Sequence, residues 1–96
     1  MKIEFRDKRL ALIRTDRAHE LRLPIGVIKA CREKLIFIDA APDERSLRNW
    51  KALRYKKLEG SDEHQIRIND QYRIRFLLDN DAQPPVMTIL EISDTH

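Results

Sequence analysis

The sequence predicts an α+β fold, with an N-terminal strand and helices packed on one face of a small, mainly antiparallel sheet. Three observations lead there. Apolar residues recur at helical spacing between residues 23 and 41. They alternate with polar ones in "HQIRIN" (64–69) and "YRIRFLL" (72–78). The links between the last strands are short, which favours antiparallel pairing of neighbours.

Taken in order, "MKIEF" alternates and reads as a short strand, with Ile3 and Phe5 on one side. "DKRLALIRTDRAHEL" (7–21) reads as a short helix or an irregular segment. In "LPIGVIKACREKLIFIDAA" (23–41), Pro24 suits a first helical turn, where its missing N–H costs nothing. Val27, Cys31, Lys34, Leu35 and Ile38 share helical spacing, as do Ile28, Leu35 and Ile36 nearby. Pro42 and Asp43 then break the chain and start a short helix from Leu47 to Trp50. Tyr55 and Leu58 suggest an extended stretch running to a turn at "GSDE" (60–63). Ile66 and Ile68, then Tyr72, Ile74 and Phe76, point to the core. "DNDAQPP" (79–85) is a polar loop, and "VMTILEI" (86–92) is a strand apolar on both sides, so central or covered.

The chain has 96 residues and no internal repeat or linker, so residues 1–96 are expected to form one domain. A fraction of 42% hydrophobic and 36% charged residues argues against disorder. The formal net charge is +3, but its distribution says more. Residues 45–57 hold six Lys/Arg and no Asp/Glu, whereas residues 78–96 hold four Asp/Glu and no Lys/Arg. The lone Cys31 excludes an internal disulfide and a cysteine-based zinc site, and its apolar helical setting predicts a buried thiol. With three scattered histidines, neither a metal site nor a cofactor is expected. "MKIEFRDKRL" has no apolar signal region, and the longest apolar run is "LIFI" (35–38), so a cytoplasmic protein with no membrane partner is expected.

No phosphate-binding loop, dinucleotide fingerprint, zinc-protease motif or nucleophile elbow is present. The chemistry-bearing feature is a cationic sheet face. If the isoleucines of the two alternating strands face the helices, Gln65, Arg67, Asn69, Arg73 and Arg75 face away from them. Rows of arginine hold phosphates by charge and bidentate hydrogen bonds. Tyr72 is expected in the core and Trp50 against a helix, while Tyr55 is open to either packing or base stacking. RNA is cleaved when its 2′-OH is deprotonated and attacks the adjacent phosphate. That requires a base, a cation at the phosphate and an acid for the leaving 5′-oxygen. His96, Lys56 or Lys57, and Arg73 fit those roles in kind.

The pieces "IDAAPDERSLRNWKALRYKKLEG", "IRINDQYRIRF" and "LEISDTH" resemble the HigB-type toxins of the RelE/ParE superfamily, also described as plasmid maintenance killer proteins. The resemblance spans residues 20 to 96. It implies a RelE-like fold and a toxin of a two-gene toxin–antitoxin system that enters the ribosomal A site and cuts mRNA. It also implies a HigA-type helix-turn-helix antitoxin, with operator DNA bound only through the toxin–antitoxin pair. On this resemblance Arg67 and Arg73 are phosphate or transition-state ligands, and Asn69 and Gln71 are structural polar residues. Arg54 matches a basic position before the turn. Lys56 or His96 would be base or acid, Asp94 would orient His96, Lys57 and Arg54 would steer the RNA backbone, and Arg75 would add a backbone contact. The sequence departs from the family pattern at Lys56, where many members have histidine, at Thr95, where many have tyrosine, and at Glu59, where lysine is common. The departures at Lys56 and Thr95 favour a second reading, a non-catalytic RNA- or ribosome-binding module; a third, a gyrase-directed toxin of the ParE type, is opposed by "IRINDQYRIRF" and the terminal histidine.

Overall fold

A computed structural model describes residues 1–95. Strand β1 (Lys2–Phe5) is followed by two 3₁₀ helices, Lys8–Arg14 and Ala18–Leu21. Then come helices α1 (Ile25–Ala40) and α2 (Glu44–Asn49), a short 3₁₀ turn at Lys51–Leu53, and strands β2 (Lys56–Lys57), β3 (Glu63–Arg67), β4 (Tyr72–Asp79) and β5 (Val86–Asp94). The strands of the described residues lie in the order β1-β5-β4-β3-β2. Every pairing is antiparallel except β1 with β5, which is parallel. The apolar strand β5 is therefore internal, as its composition predicts.

Helix α1 buries Val27, Ile28, Cys31, Leu35 and Ile38. These join Ile66, Ile68, Ile74, Phe76, Met87, Ile89 and Ile92 in one core cluster. Two expectations for α1 are corrected. Ile36 is 69% exposed, because one position beyond Leu35 turns the side chain about 100° away from the core. Pro24 caps the helix rather than lying in its first turn. The segment 8–21 is folded as two 3₁₀ helices, with Ile13 fully buried. At α2, Asp43 accepts the Ser46 amide at 3.4 Å, a side-chain N-cap that satisfies a helix-start donor.

The sheet register depends on one irregularity. Arg75 pairs with Glu91 but Phe76 pairs with Ile89, so Leu90 is an extra residue in β5. A one-residue insertion swaps the faces of everything beyond it. It lets Ile89 join Phe76 in the core while Glu91 joins Arg75 on the opposite face. That is why β5 looked apolar on both sides.

Cys31 is fully buried, and burial pushes its thiol up to about 12. Since only the thiolate reacts, alkylation in native buffer should run roughly 10³-fold or more slower than in denaturant, given the ordinary stability of a small domain. Rapid labelling of the native protein by a thiol reagent would contradict this burial.

Candidate functional site

The β3–β4 hairpin builds the open face, the one turned away from α1. Its register puts Arg67 opposite Arg73 and Gln65 opposite Arg75. Lys56, on β2, lies opposite Gln65, and Ser93 of β5 lies opposite Arg73. Lys56, Gln65, Arg67, Arg73 and Arg75 therefore share a face. Lys56 and Arg73 are two strands apart and offset by two residues, a backbone separation of about 12 Å.

The hairpin turn is held by Asn69, whose Oδ1 accepts the amides of Gln71 (2.9 Å) and Tyr72 (2.8 Å). Asn69 is thus a turn residue rather than a member of the open face, a common use of asparagine. Its carbonyl, with that of Tyr72, accepts hydrogen bonds from Arg73 Nη1 at 2.5 and 3.0 Å. These acceptors are neutral, so they fix the guanidinium without cancelling its charge. Among the described residues no carboxylate pairs with Arg73.

The other arginines are placed differently. Arg67 forms an ion pair with Asp70, whose side chain is largely exposed. Arg75 lies between two acids, with Nε 2.6 Å from Glu63 Oε1 and Nη2 2.9 Å from Glu91 Oε2. Its charge is spent locally, and its position suits bracing β3, β4 and β5 together. The Lys56 side chain is exposed and makes no hydrogen bond or ion pair among the described residues. Lys57 lies opposite His64 and so belongs to the helix-covered side of the sheet edge, not to the open face with Lys56. Arg54 is exposed in a left-handed backbone conformation at φ 47. Asp94 pairs with Tyr72, and the Thr95 amide donates to the Gln71 carbonyl at 2.7 Å, so the end of β5 runs alongside the turn that holds Arg73. His96 lies outside the described residues.

Tyr55, His64 and Glu44 form a cluster that sequence reasoning did not assemble. The Tyr55 hydroxyl lies 2.8 Å from His64 Nδ1. The two rings stack at 5.5 Å between centroids, and both stack on Phe76. Tyr55 thus packs against the protein rather than presenting a free platform for bases. Trp50 packs on Phe37, with centroids 4.5 Å apart. Burial, reinforced by nearby Glu44, pushes the Tyr55 hydroxyl up to about 12. Burial also holds His64 below its usual value, with Lys57 and Arg48 reinforcing this and Glu44 and Asp62 opposing it. The one sequence signal was an aromatic residue and a histidine flanking the same turn.

The His64 shift has a signed consequence. An unfolded histidine takes up a proton near 6.5, while folded His64 resists until lower pH. Stability contributed by neutral His64 is therefore present above 6.5 and lost as pH falls below it. Between pH 7.5 and 5.5 the wild type should lose more stability to urea than His64→Gln does. Equal losses in the two proteins would contradict a histidine held neutral.

A groove of about 600 Å³ is lined by Pro42, Glu44, Arg45, Arg48, Asn80 and Gln83. Arg67 and Arg73 are not part of it. Their surface is an open sheet face, a shape for an extended polymer more than for an enclosed small molecule. No helix among the described residues is long and apolar enough to cross a membrane.

No family model matches the chain. The toxin HigB-1 of Vibrio cholerae serotype O1 is 36% identical, over 79% of this chain and 82% of the relative. Among solved structures, a YoeB/ParE toxin from Agrobacterium tumefaciens superposes with a TM-score of 0.62 and covers 100% of both chains. At 9% identity that likeness speaks for the fold alone. The fold agrees with that likeness, and the identity to HigB-1 over most of both chains shows the family: the chain belongs to the HigB toxins.

Proposed function

We propose that this chain is the toxin of a type II toxin–antitoxin system and a ribosome-dependent endoribonuclease that cuts mRNA in the A site and so inhibits translation. The observation that carries the reading is Arg73, a guanidinium fixed by the neutral Asn69 and Tyr72 carbonyls, with no carboxylate paired to it among the described residues. Preorganised charge of this kind stabilises a transition state without having to reorganise during reaction.

In this mechanism the 2′-OH loses its proton and attacks the neighbouring phosphorus. The P–O5′ bond breaks, and the 5′-oxygen takes a proton. The products are a 2′,3′-cyclic phosphate and a 5′-hydroxyl. Arg73 stabilises the negative charge on the phosphorane, and Arg67 joins it by exchanging Asp70 for the phosphate. Exposed ion pairs are weak enough for that exchange. Lys56 and His96 supply the base and the acid, with Asp94 orienting His96. Lys57 and Arg54 steer the RNA backbone at the sheet edge, and Arg75, held by Glu63 and Glu91, keeps the face in register. The chemistry assigned to these side chains uses no metal ion or cofactor. The proposed partners are mRNA on the ribosome and a HigA-type helix-turn-helix antitoxin, with operator DNA reached only through the toxin–antitoxin complex. The proposed site of action is the cytoplasm.

Expression of wild type and His96→Ala under tight control, with mapping of mRNA 5′ ends, tests the reading. Cleavage within translated codons by the wild type alone would support it and place His96 in the site. Growth arrest without cleavage would overturn it in favour of a binding module or a gyrase-directed toxin.

A further inference from the structure

Strand β2 is two residues long, lies at the sheet edge and, among the described residues, pairs only with β3. Both of its side chains are exposed. A segment that short has little order of its own. The chain also enters β2 from Arg54, whose left-handed backbone is unfavourable for a residue with a Cβ. Yet β2 carries Lys56. Something else must hold it.

Tyr55, the residue before β2, is held on several sides. Its hydroxyl is hydrogen-bonded to His64 Nδ1 at 2.8 Å. Its ring lies within 5° of parallel to the His64 ring and stacks on fully buried Phe76 at 6.1 Å. The Arg48 guanidinium sits 4.9 Å from the ring centroid, and is itself fixed 2.8 Å from Glu44. His64 in turn lies opposite both Lys57 and Phe76 in the sheet register. The Leu58 amide closes the far end on the Glu63 carbonyl at 2.9 Å. These contacts lie on the helix-covered side, while Lys56 sits on the other side opposite Gln65.

We infer that Tyr55 and His64 form a clamp, built on Phe76 and the Arg48–Glu44 pair, that orders β2 and thereby positions Lys56 on the open face. Tyr55 and His64 are positioning residues. They face away from the RNA surface and act through the backbone of Lys56. The catalytic consequence rests on the role proposed for Lys56 in RNA cleavage, whereas the clamp itself does not.

Two measurements separate the two. Tyr55→Phe keeps the ring stack and removes only the hydroxyl. Amide hydrogen exchange on the purified chain should show the Lys56 and Leu58 amides of Y55F, the two that face β3, exchanging about tenfold faster, with the α1 and β4 amides unchanged. Unchanged exchange at Lys56 and Leu58 overturns the clamp, whether or not the protein cleaves RNA. Cleavage by wild type, Y55F, K56A and Y55F/K56A then forms a double-mutant cycle. Y55F should lower kcat about tenfold with KM unchanged, and should cost less than about twofold when Lys56 is already alanine. Equal losses in the two backgrounds would overturn positioning through Lys56. K56A cleaving as well as wild type would refute both the role of Lys56 and the catalytic consequence, leaving the exchange result to decide the clamp.

Discussion

Arg73→Ala is expected to lower mRNA cleavage by about 10²–10³-fold, the usual cost of removing one preorganised charge-stabilising donor. The expectation follows from how the guanidinium is held. Among the described residues its side chain donates to two neutral main-chain carbonyls at the turn, which fix it without cancelling its charge. Alanine removes the charge and leaves Asn69 still gripping the turn through the Gln71 and Tyr72 amides. The urea midpoint of R73A should accordingly stay close to that of the wild type. Arg73→Lys should recover only part of the rate, because an ammonium lacks the fork that donates to carbonyls and phosphate together. An R73A protein that arrests growth as strongly as the wild type would show that the reacting phosphate lies elsewhere.

Phe76→Ala should be the most damaging change to stability, at about 3–5 kcal/mol by analogy with other buried aromatic truncations. Phe76 is fully buried, and the Tyr55 and His64 rings both rest on it. It also sits beside the bulge that sets the faces of β5. A domain of this size has only about 5–15 kcal/mol in hand, so much of F76A should be unfolded well before the wild type in a urea titration. A loss under about 1 kcal/mol would mean that this corner of the core is loosely packed.

The core face was legible in the sequence because period-two alternation leaves little choice. Once Ile66, Ile74 and Phe76 are buried, Arg67, Arg73 and Arg75 must lie on the other side. What alternation cannot reveal is which residue lies beside which on the next strand. Arg75 read as a free cation, yet it is bracketed by Glu63 and Glu91, the latter brought onto this face by the bulge at Leu90. Asn69 continued the alternating pattern, but a turn needs a side chain to cap it, and that local demand won. Lys56 and Lys57 read as alternative candidates for the acid–base role, whereas a strand sends neighbours to opposite faces and puts only Lys56 on the open one. The parallel pairing of β1 with β5 joins the two ends of the chain, and no local pattern announces such a contact. The Tyr55–His64 clamp escaped notice for the same reason, being assembled across a turn by the register of three strands.

The activity proposed for the open face is attack by a ribose 2′-OH on the adjacent phosphate of ribosome-bound mRNA. It is tested most directly with purified ribosomes carrying a defined mRNA. The cut is first located with unmodified message, and the measurement is then repeated with a single 2′-deoxynucleotide on the 5′ side of the scissile phosphate. The expected result is cleavage of the all-ribose message only when it is on the ribosome, a 2′,3′-cyclic phosphate on the upstream fragment, and no cleavage of the deoxy-substituted message. Equal cleavage of both messages would contradict it.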